Sequence, residues 1–382
     1  MSRRGGTIPL GRIFGVEVGL DLSWFLIFAL LTWSLSTAYY PEHFSDWSST
    51  LYWAMGGLTT ILLFVSVLLH EFGHALAAMA FRIPVRRIRL MIFGGVAELG
   101  DDAPHAGGEF VVAIAGPVVS LLLAGALAGA WFTVRITDVP GAVIGVLGYL
   151  AFINLTLALF NLIPGFPLDG GRVLRAALWG ATGSMRRATN IAVQIGRVVG
   201  FIFIGLGLVQ IVMGGLANGL WTAFIGMFLQ GAARSELQVQ RIRDLLDGET
   251  VSRLISRNYS LIPTHVTIQQ LAGAPVLGGL ARNLAVTSED RVVGMANTAE
   301  FRRVPRESWP DTTVGEVMTP LDSSEAVGPD TALWTALRRM EAERTGQLPV
   351  IAEDQLLGFV RRDDVLRFLQ SIRRVGPGWV AS

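Results

Sequence analysis

The stretch LYWAMGGLTTILLFVSVLLHEFGHALAAMA fills residues 51–80, and the reading of the whole chain turns on it. It is apolar enough and long enough to cross a bilayer, which takes roughly 20 residues of helix. Near its end stand His70, Glu71 and His74, with few other strongly polar side chains around them. An unpaired carboxylate and two imidazoles are costly in hydrocarbon. A shared cation offsets that cost, so the placement points to hydrolytic chemistry carried out inside the membrane.

The spacing supports this. On a helix His70 and His74 lie one turn apart on one face and can reach the same cation. Glu71, beside them, can hold a water, take its proton as general base and later pass it to the leaving amine. A chance HExxH is the alternative, since short patterns recur by accident; polar residues inside a span are rare and usually functional. Gly73 and Ala75 are small enough for close approach of a neighbouring helix.

A catalytic zinc usually keeps three protein ligands and one open position. The remaining histidines, His43, His105 and His265, lie in a polar loop, a Gly-rich segment and the polar tail. Asp169, in the run NLIPGFPLDGGR over residues 161–172, is the better third ligand. Its prolines and glycines break the helix, and irregular backbone at membrane depth is tolerated where it lines a buried polar site. The alternative is an Asp that merely caps a helix end.

HEFGH in an early span, Ala115-Gly116-Pro117 in the next and NLIPGFPLDGG after that resemble the site-2 protease family of intramembrane zinc metalloproteases (peptidase family M50). The resemblance covers about the first 235 residues. It implies one zinc per chain held by His70, His74 and Asp169, with Glu71 as catalytic acid/base. It also implies that the Asn161 amide hydrogen-bonds the substrate or its oxyanion. Asn154 is a second candidate for substrate binding, with tying helices together as its alternative.

Composition agrees with a membrane protein carrying a polar tail: 51% hydrophobic and 16% charged residues, with a mean hydropathy of +0.50. The net charge of +1 gives no electrostatic case for nucleic acid. All 31 basic residues are Arg. Cys is absent, which excludes disulfides, thiol catalysis and Cys-ligated zinc. Nothing resembling a cleaved signal follows Arg3, Arg4 and Arg12. Apolar runs suited to spanning lie near 20–38, 51–80, 109–134, 143–163, 191–213 and 217–233, which makes a multi-pass cell-membrane protein.

Arginine placement orients it. One set of connections holds Arg3, Arg4, Arg12, Arg82, Arg86, Arg87, Arg89, Arg172, Arg175, Arg186 and Arg187, whereas the alternate set holds only Arg135. The N-terminus, the Arg82 loop and the tail are therefore expected in the cytoplasm. His74 lies about 12 Å of helix from Arg82, which puts the metal nearer that face.

Between the second and third runs, residues 88–99 read IRLMIFGGVAEL, with Gly94-Gly95 between two apolar segments. This pattern reads as a β-hairpin, and the family resemblance implies a membrane-associated one. An edge strand there, with Gly94 and Gly95, can pair with an unwound substrate and present its peptide bond; a plain surface hairpin is the alternative. Substrates are expected to carry helix-weakening residues near the cytoplasmic boundary, because helical peptide bonds are shielded by their own hydrogen bonds.

After Arg234 the chain turns polar. The expected organisation is a protease domain over 1–235, a linker helix over 236–249, and two similar units over 250–306 and 313–372. The clearest internal match sets RVVGMA (residues 291–296) against QLLGFV (residues 355–360). These units resemble a tandem CBS-domain pair. That resemblance implies a soluble α/β module, an adenine nucleotide in its cleft and a homodimer through the CBS domains. The acidic positions are Glu300 and Asp364; the hydroxyl positions hold Asn297 and Arg361, with Thr298 beside the first. Arg361 can pair with a phosphate, and a purely structural dimerisation module is the alternative.

The leading expectation is an intramembrane endopeptidase that cleaves a transmembrane protein and is regulated through the CBS pair. An idle metal-binding scaffold or sensor would not need Glu71 or the Asn161 segment. A CBS-regulated transporter would spread ionisable residues along several spans, whereas here they concentrate at HEFGH and PLDGG.

Overall fold

The computed structural model describes the chain except residues 1–6, 93, 101–102, 138, 258, 273–282, 290, 298–300, 302, 321–325, 344, 354 and 376–382. Two compact units follow one another, Met1–Gln240 and Arg241–Ser382.

The first unit opens with a hairpin of β1 (Thr7–Ile13) and β2 (Val16–Asp21). Helix α1 (Leu22–Ser34) starts at Asp21, whose carboxylate accepts from Ser23 N at 3.0 Å and Ser23 Oγ at 2.7 Å. Those bonds, with Arg89 nearby, hold the Asp21 carboxyl below its ordinary range. A π-helical turn (Leu35–Tyr39) leads into α2 (Tyr40–His43). Helix α3 (Ser49–Ala80) is capped by Ser48, whose hydroxyl accepts from Leu51 N.

Then come β3 (Val85–Met91), β4 (Gly94–Leu99), α4 (Ala106–Arg135), α5 (Gly141–Asn161), α6 (Asp169–Thr182), α7 (Met185–Val212) and α8 (Leu216–Leu246). The sheet order is β1-β2-β3-β4. Strands β2 and β3 pair in parallel and the other neighbours antiparallel. The parallel pairing needs a crossover, which α1 to α3 provide. Val16, Val18 and Ile88 of the sheet pack on Phe72 and Ala75, so the HEFGH turn of α3 lies against the sheet.

Among the described residues, five helical segments are long and apolar enough to cross a membrane: Leu22–His43, Ser49–Ala80, Ala106–Arg135, Gly141–Asn161 and Met185–Val212. The sixth expected run falls in the first half of α8. The linker helix expected over 236–249 falls in the second half of the same helix, which ends at Leu246. The polarity is that of a membrane protein. Leu122, Phe152 and Val212 are 69%, 64% and 88% exposed, while Thr59, Ser120 and Asn154 are fully buried.

In the second unit, β5 (Ser260–Pro263), β6 (Asn283–Ser288), β7 (Arg291–Asn297) and β8 (Thr319–Pro320) form one sheet. Strands β9 (Gln347–Ala352) and β10 (Gln355–Arg361) form an antiparallel pair followed by a helix over Arg362–Val375. The repeat is visible in the pairing. Met295 of β7 pairs with Thr319, and Phe359, at the matching position of β10, pairs with Ser256. Each hairpin thus pairs with a short segment from the other expected unit, β7 with Thr319 and β10 with Ser256. Cores around Met340 and Leu348 and around Ile268 and Leu284 fill the two halves.

Candidate active site

His70 and His74 leave the same face of α3, 3% and 5% exposed. Opposite them runs α4, which supplies three things. The Val112 carbonyl lies 2.7 Å from His74 Nδ1, and the Ser120 hydroxyl lies 2.8 Å from His70 Nδ1. Gly116 lies under both rings: a Cβ there would overlap His74 Nε2 and come within 2.7 Å of His70 Nε2. The helices can approach so closely because α3 contributes Gly73, where a Cβ would lie 2.8 Å from the Ala115 carbonyl oxygen.

Asp169 arrives from the opposite side as the first residue of α6. Leu168 holds the N-cap position, and no side chain caps this helix. The Asp169 carboxylate turns instead to the imidazoles, with Oδ2 at 3.2 Å from each Nε2. The two Nε2 atoms are 3.3 Å apart. Since a carbonyl can only accept, His74 Nδ1 carries a proton, so in the neutral ring Nε2 is the lone pair and faces the carboxylate.

Acceptors packed this way repel one another unless a cation lies among them. The potential ligand atoms of His70, His74 and Asp169 all lie within 4.8 Å of one another. The donor set (two imidazole nitrogens and one carboxylate oxygen, each histidine held from behind) suits a catalytic zinc.

Glu71 lies against the sheet. Its side chain packs on Gly95 of β4, where a Cβ would overlap Glu71 Cγ. The neighbouring Gly94 has φ +115°, a backbone conformation that favours glycine. Strand β4 stands at the edge of the four-stranded sheet. Gly95 therefore lies directly beside the expected general base, whereas a Cβ at Gly94 would meet nothing within 4 Å.

The two asparagines are placed differently. Asn154 is fully buried on α5, and its Nδ2 donates to Ser66 Oγ at 3.1 Å and Leu150 O at 2.8 Å. It ties α5 to α3 one turn before His70. Asn161, the last residue of α5, donates from Nδ2 to Leu157 O at 3.0 Å, within its own helix.

Of the residues considered for nucleotide binding, Thr298 and Glu300 lie outside the described residues, as does the Asn297 side chain. Arg361 ends β10. Asp364, in the first turn of the following helix, pairs with Arg367.

Sequence reading did not single out Val112, Ser120 or Glu109. Ser120 follows Gly116 by one turn, so the AGP motif and helical periodicity carried a signal for it. The other contacts are long-range.

The peptidase family M50 profile matches residues 58–137 and 136–203, and the CBS-domain profile matches residues 314–371. Rip3 of Mycobacterium tuberculosis, provisionally named a zinc metalloprotease, is 35% identical over 374 residues, which cover 97% of this chain and 94% of that one. A Synechocystis sp. protein, also provisionally named a zinc metalloprotease, is 33% identical over 369 residues, 95% of this chain and 96% of that one. The structure of a site-2 protease from Methanocaldococcus jannaschii covers 60% of this chain and 94% of its own, with 31% identity and a TM-score of 0.44.

Proposed function

This chain belongs to peptidase family M50, the site-2 proteases, and is a membrane-embedded metalloprotease with a CBS domain; from that premise we propose that it cleaves a transmembrane protein within the bilayer, at the cluster His70, His74 and Asp169. The observation that carries the reading is the convergence of these three acceptors within one buried site. They would hold one zinc ion, whose Lewis acidity activates water and polarises the scissile carbonyl.

The rest falls to the chain's own side chains. Glu71 takes a proton as water adds to the carbonyl carbon, then returns it to the amine nitrogen as the C–N bond breaks. Strand β4 offers an unpaired edge to an unwound substrate, whose extended backbone would pair with it and pass Glu71 at Gly95. Asn161 acts as a substrate or oxyanion donor once its amide leaves the Leu157 carbonyl. Asn154 holds α5 against α3.

In this reading the arginine-rich connections, including the loop at Arg82, lie in the cytoplasm. The first half of α8 completes a sixth crossing, and the second unit is cytoplasmic. That unit is a CBS pair spanning 250–306 and 313–372, which follows the protease domain, dimerises and binds an adenine nucleotide. Arg361 meets a phosphate and Asp364 a ribose. Occupancy there regulates cleavage.

The test is cleavage of a transmembrane reporter bearing a Gly-Pro pair, co-reconstituted with the full chain in liposomes. Wild type should cleave, and a chelator should abolish cleavage until zinc is restored. Glu71→Gln should retain zinc and lose activity by at least about a thousandfold. Cleavage by Glu71→Gln at the wild-type rate would contradict the proposal.

A further inference from the structure

We propose that Arg175 is a positioning residue for the metal centre: its buried ion pair with Glu109 locks α6 to α4 and so presents Asp169 to the two histidines. This rests on Asp169 being a ligand, as argued above.

The metal centre draws on three helices, and the two imidazoles are already set by α3 and α4. Asp169 alone comes from elsewhere, at the start of a helix that follows an irregular loop. Something other than the metal has to fix that helix if the site is to be ready for a cation. Arg175 lies six residues into α6 and is 8% exposed; Glu109, in the first turn of α4, is 1% exposed. Arg175 Nε donates to Glu109 Oε1 at 2.7 Å, and Nη2 donates to the same oxygen.

The face of α4 that carries Glu109 is the one that carries the site. Glu109, Val112, Gly116 and Ser120 recur at helical spacing along it. The ion pair therefore joins α6 to the same stripe that holds His70 and His74 from behind. Arg175 reaches the ligand loop as well, since its guanidinium lies over the Phe166 ring, 4.9 Å from the centroid. A third contact, at 3.4 Å to Glu236 of α8, comes from the remaining nitrogen, Nη1.

Glu109 depends on this partner. Among the described residues its Oε2 has no hydrogen-bond partner, and a second cation, Arg172, has its Nε at 3.9 Å from Oε1. A buried carboxylate compensated almost wholly by one guanidinium fixes the geometry of both helices, because neither charge can leave without exposing the other. Two donors of one planar guanidinium converging on a single oxygen set orientation as well as distance.

The experiment measures zinc affinity of the full chain in detergent by competition with a chromophoric chelator, and the visible bands of the cobalt-substituted protein. Arg175→Met and Glu109→Gln should each weaken zinc binding about 10- to 100-fold, the range for residues that orient ligands. Their combination should weaken it no further than either alone, because both act through one contact. Cobalt bands should shift in intensity or position, and Arg175→Lys should restore part of the affinity.

The double variant leaves no lone buried charge, so it tests the proposal even where a single variant folds poorly. Wild-type affinity and unchanged cobalt bands in the double variant would overturn the proposal, as would a lowered Tm with both readouts intact. Asp169→Asn separates the two levels. Zinc lost in Asp169→Asn but kept in the double variant defeats only the positioning role, whereas zinc kept in Asp169→Asn defeats the ligand assignment beneath it.

Discussion

Because the Val112 carbonyl accepts from His74 Nδ1, the neutral ring directs its Nε2 lone pair toward the Asp169 carboxylate 3.2 Å away. The orientation that suits a shared cation is thus set by a hydrogen bond outside the HEFGH pentapeptide. The same reasoning gives a graded prediction. Ser120→Ala removes the group behind His70 and leaves its ring free to turn, so zinc affinity should fall about tenfold, measured by chelator competition. Gly116→Val is more severe, since its side chain would occupy the space of both Nε2 atoms. The folded variant should carry little zinc by elemental analysis; a full complement would show that the α3–α4 approach is not what shapes the site.

At the scale of elements, the position of β4 beside Glu71 makes the hairpin part of the chemistry in this account. Gly95→Val should push Glu71 aside while leaving the histidines and Asp169 in place. Zinc content should stay at the wild-type level while kcat drops by about a hundredfold, the cost of a misplaced catalytic group. Loss of zinc together with activity would mean instead that the hairpin supports the metal ligands.

Helical periodicity made the HEFGH face of α3 legible, and the Pro and Gly content marked the break before Asp169, because both signals are local. The β3-β4 pairing was legible for the same reason, although Gly94 and Gly95 open β4, paired with Met91 and Leu90, rather than separating the strands. The N-terminal β1-β2 hairpin was not, since β2 finds its parallel partner β3 only across the three intervening helices. Glu109 and Arg175 are 66 positions apart, so no local pattern could join them. A helix was expected in the polar half of α8, but its continuity with the apolar half was not, because a change of composition marks a change of surroundings and not a break in the helix. The tandem repeat could be read from RVVGMA and QLLGFV, whereas the crossed pairing of Met295 and Phe359 with segments outside their own hairpins could not.

For the whole molecule, the absence of Cys allows a direct test of orientation. Single cysteines at Ser45 and Thr137 should react with an impermeant thiol reagent added outside intact cells. Cysteines at Arg82 and Ser371 should react only after the inner face is opened. The reverse pattern would invert the assignment drawn from the arginines. Calorimetric titration of the full chain with AMP and ATP tests the CBS pair: saturable binding should appear and weaken in Arg361→Ala and Asp364→Ala, while no heat in wild type would leave that pair a structural module.

The central claim is that His70, His74 and Asp169 hold a catalytic metal that Glu71 serves without binding it. Elemental analysis of wild type, Asp169→Ala and Glu71→Gln, purified in parallel and assayed on the same reconstituted substrate, tests it most directly. The account predicts about one zinc per chain in wild type and Glu71→Gln, far less in Asp169→Ala, and cleavage only in wild type. No zinc in wild type after reconstitution, or undiminished zinc in Asp169→Ala, would contradict it.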